Sequence, residues 1–131
     1  MKPVVLACVL ALATGCSPAD LPNPLAEIVE GVVIAHGRCK NHEDCRKREI
    51  VVQGRYYNVG LWGGGSGPSS GHAISVYGYG QDHPIRAELV NKLRAAQETR
   101  KLPCVELRLF TGPNPSQQGH GGTDMVCPRT Q

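Results

Sequence analysis

His36, Cys39, His42 and Cys45 recur at every third residue. Thiolate and imidazole are ligands that zinc accepts, and two of each can complete a tetrahedron. The same four residues admit a plainer chemistry, in which Cys39 and Cys45 are oxidised to a disulfide and the histidines are ordinary polar groups. The spacing speaks for the disulfide. Zinc ligands usually come as two separated hooks, not one even run, and His36 falls inside a stretch rich in Val and Ile. No metal and no other cofactor is expected.

Other residues invite catalytic readings that their surroundings do not sustain. Gly63-Gly64-Gly65-Ser66-Gly67 can present backbone N–H groups to an anion, but a phosphate loop continues with Lys and Ser or Thr, and here Pro68 follows. The same proline takes the place of the closing glycine that a nucleophile elbow around Ser66 would need. Ser69 or Ser70, one of His72, His83 and His120, and Asp82 or Asp124 contain the residue types of a hydrolytic triad, yet no spacing among them demands one. No pair of carboxylates stands out for acid–base work. Enzymatic turnover is not expected.

The aromatic residues are more suggestive. Tyr56, Tyr57, Trp62, Tyr77 and Tyr79 are five of the six aromatics, and all lie between positions 56 and 79. Tyrosine and tryptophan combine apolar area with a polar handle and suit recognition surfaces. Alternation along the strands expected there groups Arg55, Tyr57, Tyr77 and Tyr79, with Trp62 nearby, on a face opposite the Ile50, Val52, Ile74 and Val76 side. These five form the candidate binding face. Arg38, Lys40, Arg46, Lys47 and Arg48 make a second cluster, interrupted by Glu43, Asp44 and Glu49, that reads as a solvated charged loop.

The elements that must position these residues can be read from periodicity. A Val/Ile-rich strand is expected over 28–38, a charged loop over 40–48, and a strand over 49–59 whose odd and even positions alternate in polarity. A flexible Gly-rich connection leads to a third strand over 72–78. Ile85, Leu89, Leu93 and Ala96 recur at helical spacing after the start signals Asp82 and Pro84, and Pro103 limits the helix to about position 101. Strands over 105–110 and 123–127 complete the set, joined by a polar Gly/Pro loop.

The N-terminus carries its own information. Lys2 is followed by an apolar run from Val4 to Ala13 that is too short to span a bilayer but suits the core of a secretory signal, and the run ends Thr14-Gly15-Cys16. This Ala-Thr-Gly-Cys ending resembles the lipobox of bacterial lipoproteins, although the leucine favoured three places before the cysteine is Ala13 here. The resemblance implies cleavage after residue 15, acylation of Cys16, and a Pro-rich tether over 16–27. Ser17 next to the cysteine resembles outer-membrane sorting, with the domain over 28–131 facing the periplasm.

Cleavage leaves 116 of the 131 residues and lowers the net charge from +3 to +2, since Lys2 departs with the signal. That balance is too mild to imply nucleic acid as a partner. It also leaves four cysteines, Cys39, Cys45, Cys104 and Cys127, an even number in an oxidising compartment. Four cysteines permit three connectivities. If the last two strands form a hairpin, pairing Phe110 with Gly121 also sets Cys104 opposite Cys127, so the expected bridges are Cys104–Cys127 and Cys39–Cys45.

The order strand, strand, strand, helix, strand, strand is similar to the OB-fold, a five-stranded antiparallel barrel with its helix between strands three and four. The expected fold class is thus mainly β, of α+β type: a disulfide-stapled, OB-like barrel or curved sheet. The expected function is that of a monomeric envelope lipoprotein that binds an envelope or secreted protein, as an immunity or inhibitor protein against a toxin or as an accessory part of an envelope machine. The alternative is a binder of a glycan or small ligand through the tyrosine-rich face.

Overall fold

The computed structural model describes residues 23–58 and 69–129. Cys16 and Trp62 lie outside them, as do the side chains of Tyr57, Ser69 and Ser70. The described chain is an α+β fold with three helices and one open four-stranded sheet.

The first correction concerns the segment expected as strand one. Residues Pro24–Ala35 form a helix, α1. Its signals are local. Asn23 caps it, accepting the Ala26 N–H at 3.0 Å, and Pro24 occupies a first-turn position where its missing N–H costs nothing. Leu25, Val29, Val32 and Val33 recur at i, i+4, i+7 and i+8 and are buried together. Val/Ile density pointed to a strand; the period of the apolar stripe, which starts at Leu25, makes it a helix. Residues 23–27, assigned to the tether, thus belong to the cap and first turn of a packed helix.

Gly37, at φ 79°, closes α1: its N–H reaches Ile34 O at 2.9 Å, and the Arg38 N–H reaches Val33 O at 3.2 Å. The charged loop contains a second helix, α2, His42–Lys47, capped by Asn41, which accepts the Asp44 N–H at 2.8 Å. Five polar or charged residues and one cysteine give no apolar period. This turn is fixed by its cap and by Cys45, which is buried and bonded to Cys39.

The remaining elements are β1 (Val51–Asn58), β2 (Ser69–Tyr77), α3 (Ile85–Arg100), β3 (Val105–Phe110) and β4 (Gly121–Val126). The sheet order is β1-β2-β3-β4, antiparallel except between β2 and β3. That parallel step follows from α3, which carries the chain back along the sheet before β3 begins. Neither five strands nor a closed barrel forms among the described residues, because the chain expected as strand one is helical and the sheet keeps two edges.

α1 and α3 pack on one face of the sheet. Val29, Val33, Ile74, Val76, Ile85, Leu89, Leu93, Val105, Leu107, Leu109 and Val126 make the centre of the core. On α3 the buried stripe is Ile85, Leu89, Leu93 and Gln97, while Ala96 is only half-buried. Gln97 is fully buried and its Nε2 donates to Pro103 O at 2.8 Å and to Val126 O at 2.9 Å, tying α3 to the start of the β3–β4 hairpin.

Both expected disulfides are present. The β3–β4 register pairs Val105 with Val126 and Phe110 with Gly121, so Cys104 and Cys127 continue the same ladder one step beyond the strands, 4.3 Å apart at Cα. That separation matches a non-hydrogen-bonded antiparallel pair, where side chains approach most closely.

Candidate functional site

The histidine–cysteine run does not converge on one point. With Cys39 and Cys45 bonded to each other, the two histidines engage separate carboxylates. His36 Nε2 donates to Glu88 Oε1 at 2.9 Å and His42 Nδ1 donates to Glu30 Oε1 at 2.7 Å. Glu30 is only 3% exposed, and Arg46 reaches it as well, with Nε on Oε2 and Nη2 on Oε1, both at 3.1 Å. These bonds fasten α2 to α1. Asp44 adds a turn of its own: the Lys40 backbone N–H, and then Arg48, hold its carboxyl below the usual range. No group of three or more possible metal ligands occurs among the described residues.

The expected tyrosine face divides. Val51 pairs with Val76, so Val51, Gln53 and Arg55 share the helix side with Ile74 and Val76, while Val52, Gly54 and Tyr56 share the outer face with Ala73, Ser75 and Tyr77. A one-residue difference in register exchanges the two faces of a strand. Arg55 and Tyr77 thus lie on opposite sides. Tyr57 pairs with Ser70 near the end of β1. Tyr77, 4% exposed, stacks on Phe110 with ring centres 4.9 Å apart. Tyr79 lies beyond β2 in the core, edge-on to His83 at 4.9 Å and to His36 at 6.5 Å, and burial pushes its phenol up against the opposing charge of Arg38. Arg55 instead lines a hollow of about 370 Å³ with Tyr56, Gly71, His72, Pro103 and Cys104.

Of the triad candidates, His83 stands apart from the two serines, whereas His72 shares β2 with them. Ser69 and Ser70 begin β2 and His83 follows its far end, which at about 3.3 Å per residue separates them by the length of the strand. His83 acts locally. Its Nδ1 accepts the Ile85 N–H at 3.0 Å and starts α3 where Pro84 offers no side-chain cap.

A larger cleft, of about 560 Å³, lies between α3 and β4. Gln81, Asp82 and His83 form one end. Ala87, Val90, Asn91 and Arg94 line the helix wall, and Asp124, Met125 and Val126 the strand wall. On α3 these four residues stand at i, i+3, i+4 and i+7, a stripe beside the buried one. Arg86 spans the cleft with a two-point bond to Asp124, Nε to Oδ2 at 2.8 Å and Nη2 to Oδ1 at 2.7 Å. That bond holds the Asp124 carboxyl below the usual carboxylate range; partial burial opposes it and Arg94 assists. Arg94 itself makes no hydrogen bond or ion pair among the described residues. Met125, 48% exposed, is the large hydrophobic side chain left most open among them.

The cleft offers donors, a cation and apolar contact, which is the chemistry of recognition. Sequence reasoning named only Asp82, His83 and Asp124 among its lining, as triad members. The stripe Ala87, Val90, Asn91 and Arg94 was there to be read, but it gains meaning only when β4 lies alongside. Comparison of the chain with protein-family models, curated proteins and solved structures finds no match. No helix among the described residues is long and apolar enough to cross a membrane.

Proposed function

We propose that the chain is a lipid-anchored protein of the bacterial envelope, held at the outer membrane through Cys16, whose domain binds a protein partner in the α3–β4 cleft. The observation that carries this reading is an open cleft with an apolar middle at Ala87 and Val90 and an Arg94 that makes no hydrogen bond or ion pair among the described residues. Exposed apolar surface rimmed by polar groups is characteristic of interaction sites. The partner fits the envelope classes inferred from the chain's size and signal: a secreted toxin to be neutralised, or a component of an envelope machine. A glycan platform built from Arg55, Tyr57, Trp62, Tyr77 and Tyr79 has less support, because Arg55 and Tyr77 occupy opposite faces and Tyr79 is buried.

The test is crosslinking and affinity capture of the anchored protein from its own envelope, with mass spectrometry of the crosslinks. The expected result is one stoichiometric protein crosslinked near α3 and β4, lost in Ala87→Glu and in Arg94→Glu while both variants keep the wild-type melting temperature within a few degrees. Capture unchanged by either substitution overturns the cleft as the site. Intact mass showing an unmodified Cys16 overturns the anchor.

A further inference from the structure

Three consecutive residues, Asp124, Met125 and Val126, line the cleft. A strand seen face-on presents alternate residues, so a run of three means that the cleft opens onto the edge of β4. The backbone of that edge can be assigned. Thr111 N donates to His120 O at 2.8 Å, one step outside the β3–β4 register, and hydrogen-bonded pairs in an antiparallel ladder alternate. Gly122, Asp124 and Val126 therefore direct their N–H and C=O groups to β3. Gly121, Thr123 and Met125 direct theirs outward, where no described strand meets them.

Proteins usually protect such an edge with lysine, proline, a bulge or an inward charge. β4 reads Gly-Gly-Thr-Asp-Met-Val, and its one charge, Asp124, is held by Arg86. Among the described residues no strand pairs with this edge, and it runs beside a groove with an apolar middle at Ala87 and Val90 and with Arg94, which makes no hydrogen bond or ion pair among those residues. Building on the protein-binding reading, we infer that the partner docks by strand addition: an extended segment pairs with β4 as a fifth strand. Its helix-side residues are of medium apolar size against Ala87 and Val90, and an acidic side chain meets Arg94. Backbone bonds at 121, 123 and 125 supply attachment; the apolar contact with Ala87 and Val90 and the charge of Arg94 supply selectivity.

The probe is a blocked eight-residue peptide of alternating valine and threonine ending in glutamate, added to the mature, disulfide-bonded protein in detergent, with amide exchange read residue by residue. Exchange at Thr123 and Met125 should slow at least ten-fold at saturation, while Gly122 and Asp124, already paired, keep their rates. Replacing the terminal glutamate by lysine should weaken binding about ten-fold, and Arg94→Gln should erase that difference. Thr123→Pro removes one outward N–H and no ladder bond, so it should fold and bind at least ten-fold more weakly. Absence of binding, protection away from odd-numbered β4 positions, or unchanged affinity in Thr123→Pro overturns strand addition. So does sedimentation of the free protein as a dimer that Thr123→Pro converts to a monomer, since the edge would then belong to a second copy. If Ala87→Glu still abolishes envelope capture in any of these cases, the cleft reading stands and only the docking mode falls.

Discussion

The corner between α1 and α2 and the flank between α3 and β4 are built from the same parts. Each has a disulfide, an arginine gripping a carboxylate at two points, and a buried polar side chain, Glu30 in one and Gln97 in the other. They differ in what is left over. In the corner, the carboxylate is buried and a histidine joins the arginine on it, so the cluster is closed upon itself. On the flank, Asp124 remains partly open to solvent, Arg94 makes no hydrogen bond or ion pair among the described residues, and a cleft stands beside the fork. Similar chemistry serves cohesion where the charged groups close on a buried carboxylate and recognition where capacity remains.

The largest expected difference between the regions is covalent. Cys104–Cys127 spans 23 positions and Cys39–Cys45 spans 6, so chain entropy assigns about 3 kcal/mol to the first and about 2 kcal/mol to the second. Denaturant unfolding of the two paired Cys→Ser variants measures this, and equal losses would remove the ranking. Next in size is Glu30→Ala. It deletes three charge-assisted bonds to a buried carboxylate while leaving Arg46 and His42 able to reach water, and should cost about 2 kcal/mol without touching partner capture. Loss of capture at full stability would break the division between cohesion and recognition.

Asp124→Asn should do the reverse, costing only about 0.5–1 kcal/mol because its arginine is half exposed. Its pH signature is also defined. The Asp124 carboxyl is depressed in the folded state, so its contribution is complete above the ordinary value of 3.8 and is lost as pH falls through the lower folded value. Melting temperatures of wild type should therefore fall more steeply below about pH 3.8 than those of Asp124→Asn; parallel curves would contradict the two-point bond. Asp44 is depressed as well and acts in the same direction in both proteins.

The smallest effect should be the same on both sides. Glu49, just after α2, and Lys101, at the end of α3, have φ values of 57° and 55°, a region that favours glycine. Glu49→Gly and Lys101→Gly should each raise stability by roughly 0.5 kcal/mol. A gain at only one of them would show that the two regions differ in backbone strain as well.

Much of the flank was legible in sequence. The alternation over β3, the helical stripe from Ile85 to Leu93 and the pairing of Cys104 with Cys127 all follow from local period and one hairpin register. The corner was less so. Val/Ile content outweighed period in α1, and α2 is one and a half turns of polar residues held by Asn41 and a disulfide. The cleft was hidden for a different reason. Which side chains share a face depends on Val51, not Val52, standing beside Val76, and on β2 and β3 running parallel; neither is a local property.

The early start of α1 shortens the leash. On the lipid-anchored reading, only seven residues separate Cys16 from the helix that opens at Pro24, and seven residues reach at most about 25 Å when fully stretched. The domain would then patrol a shell no thicker than roughly the leash plus its own width. A partner for the β4 edge must enter that shell, either by living at the bilayer surface or by reaching down to it.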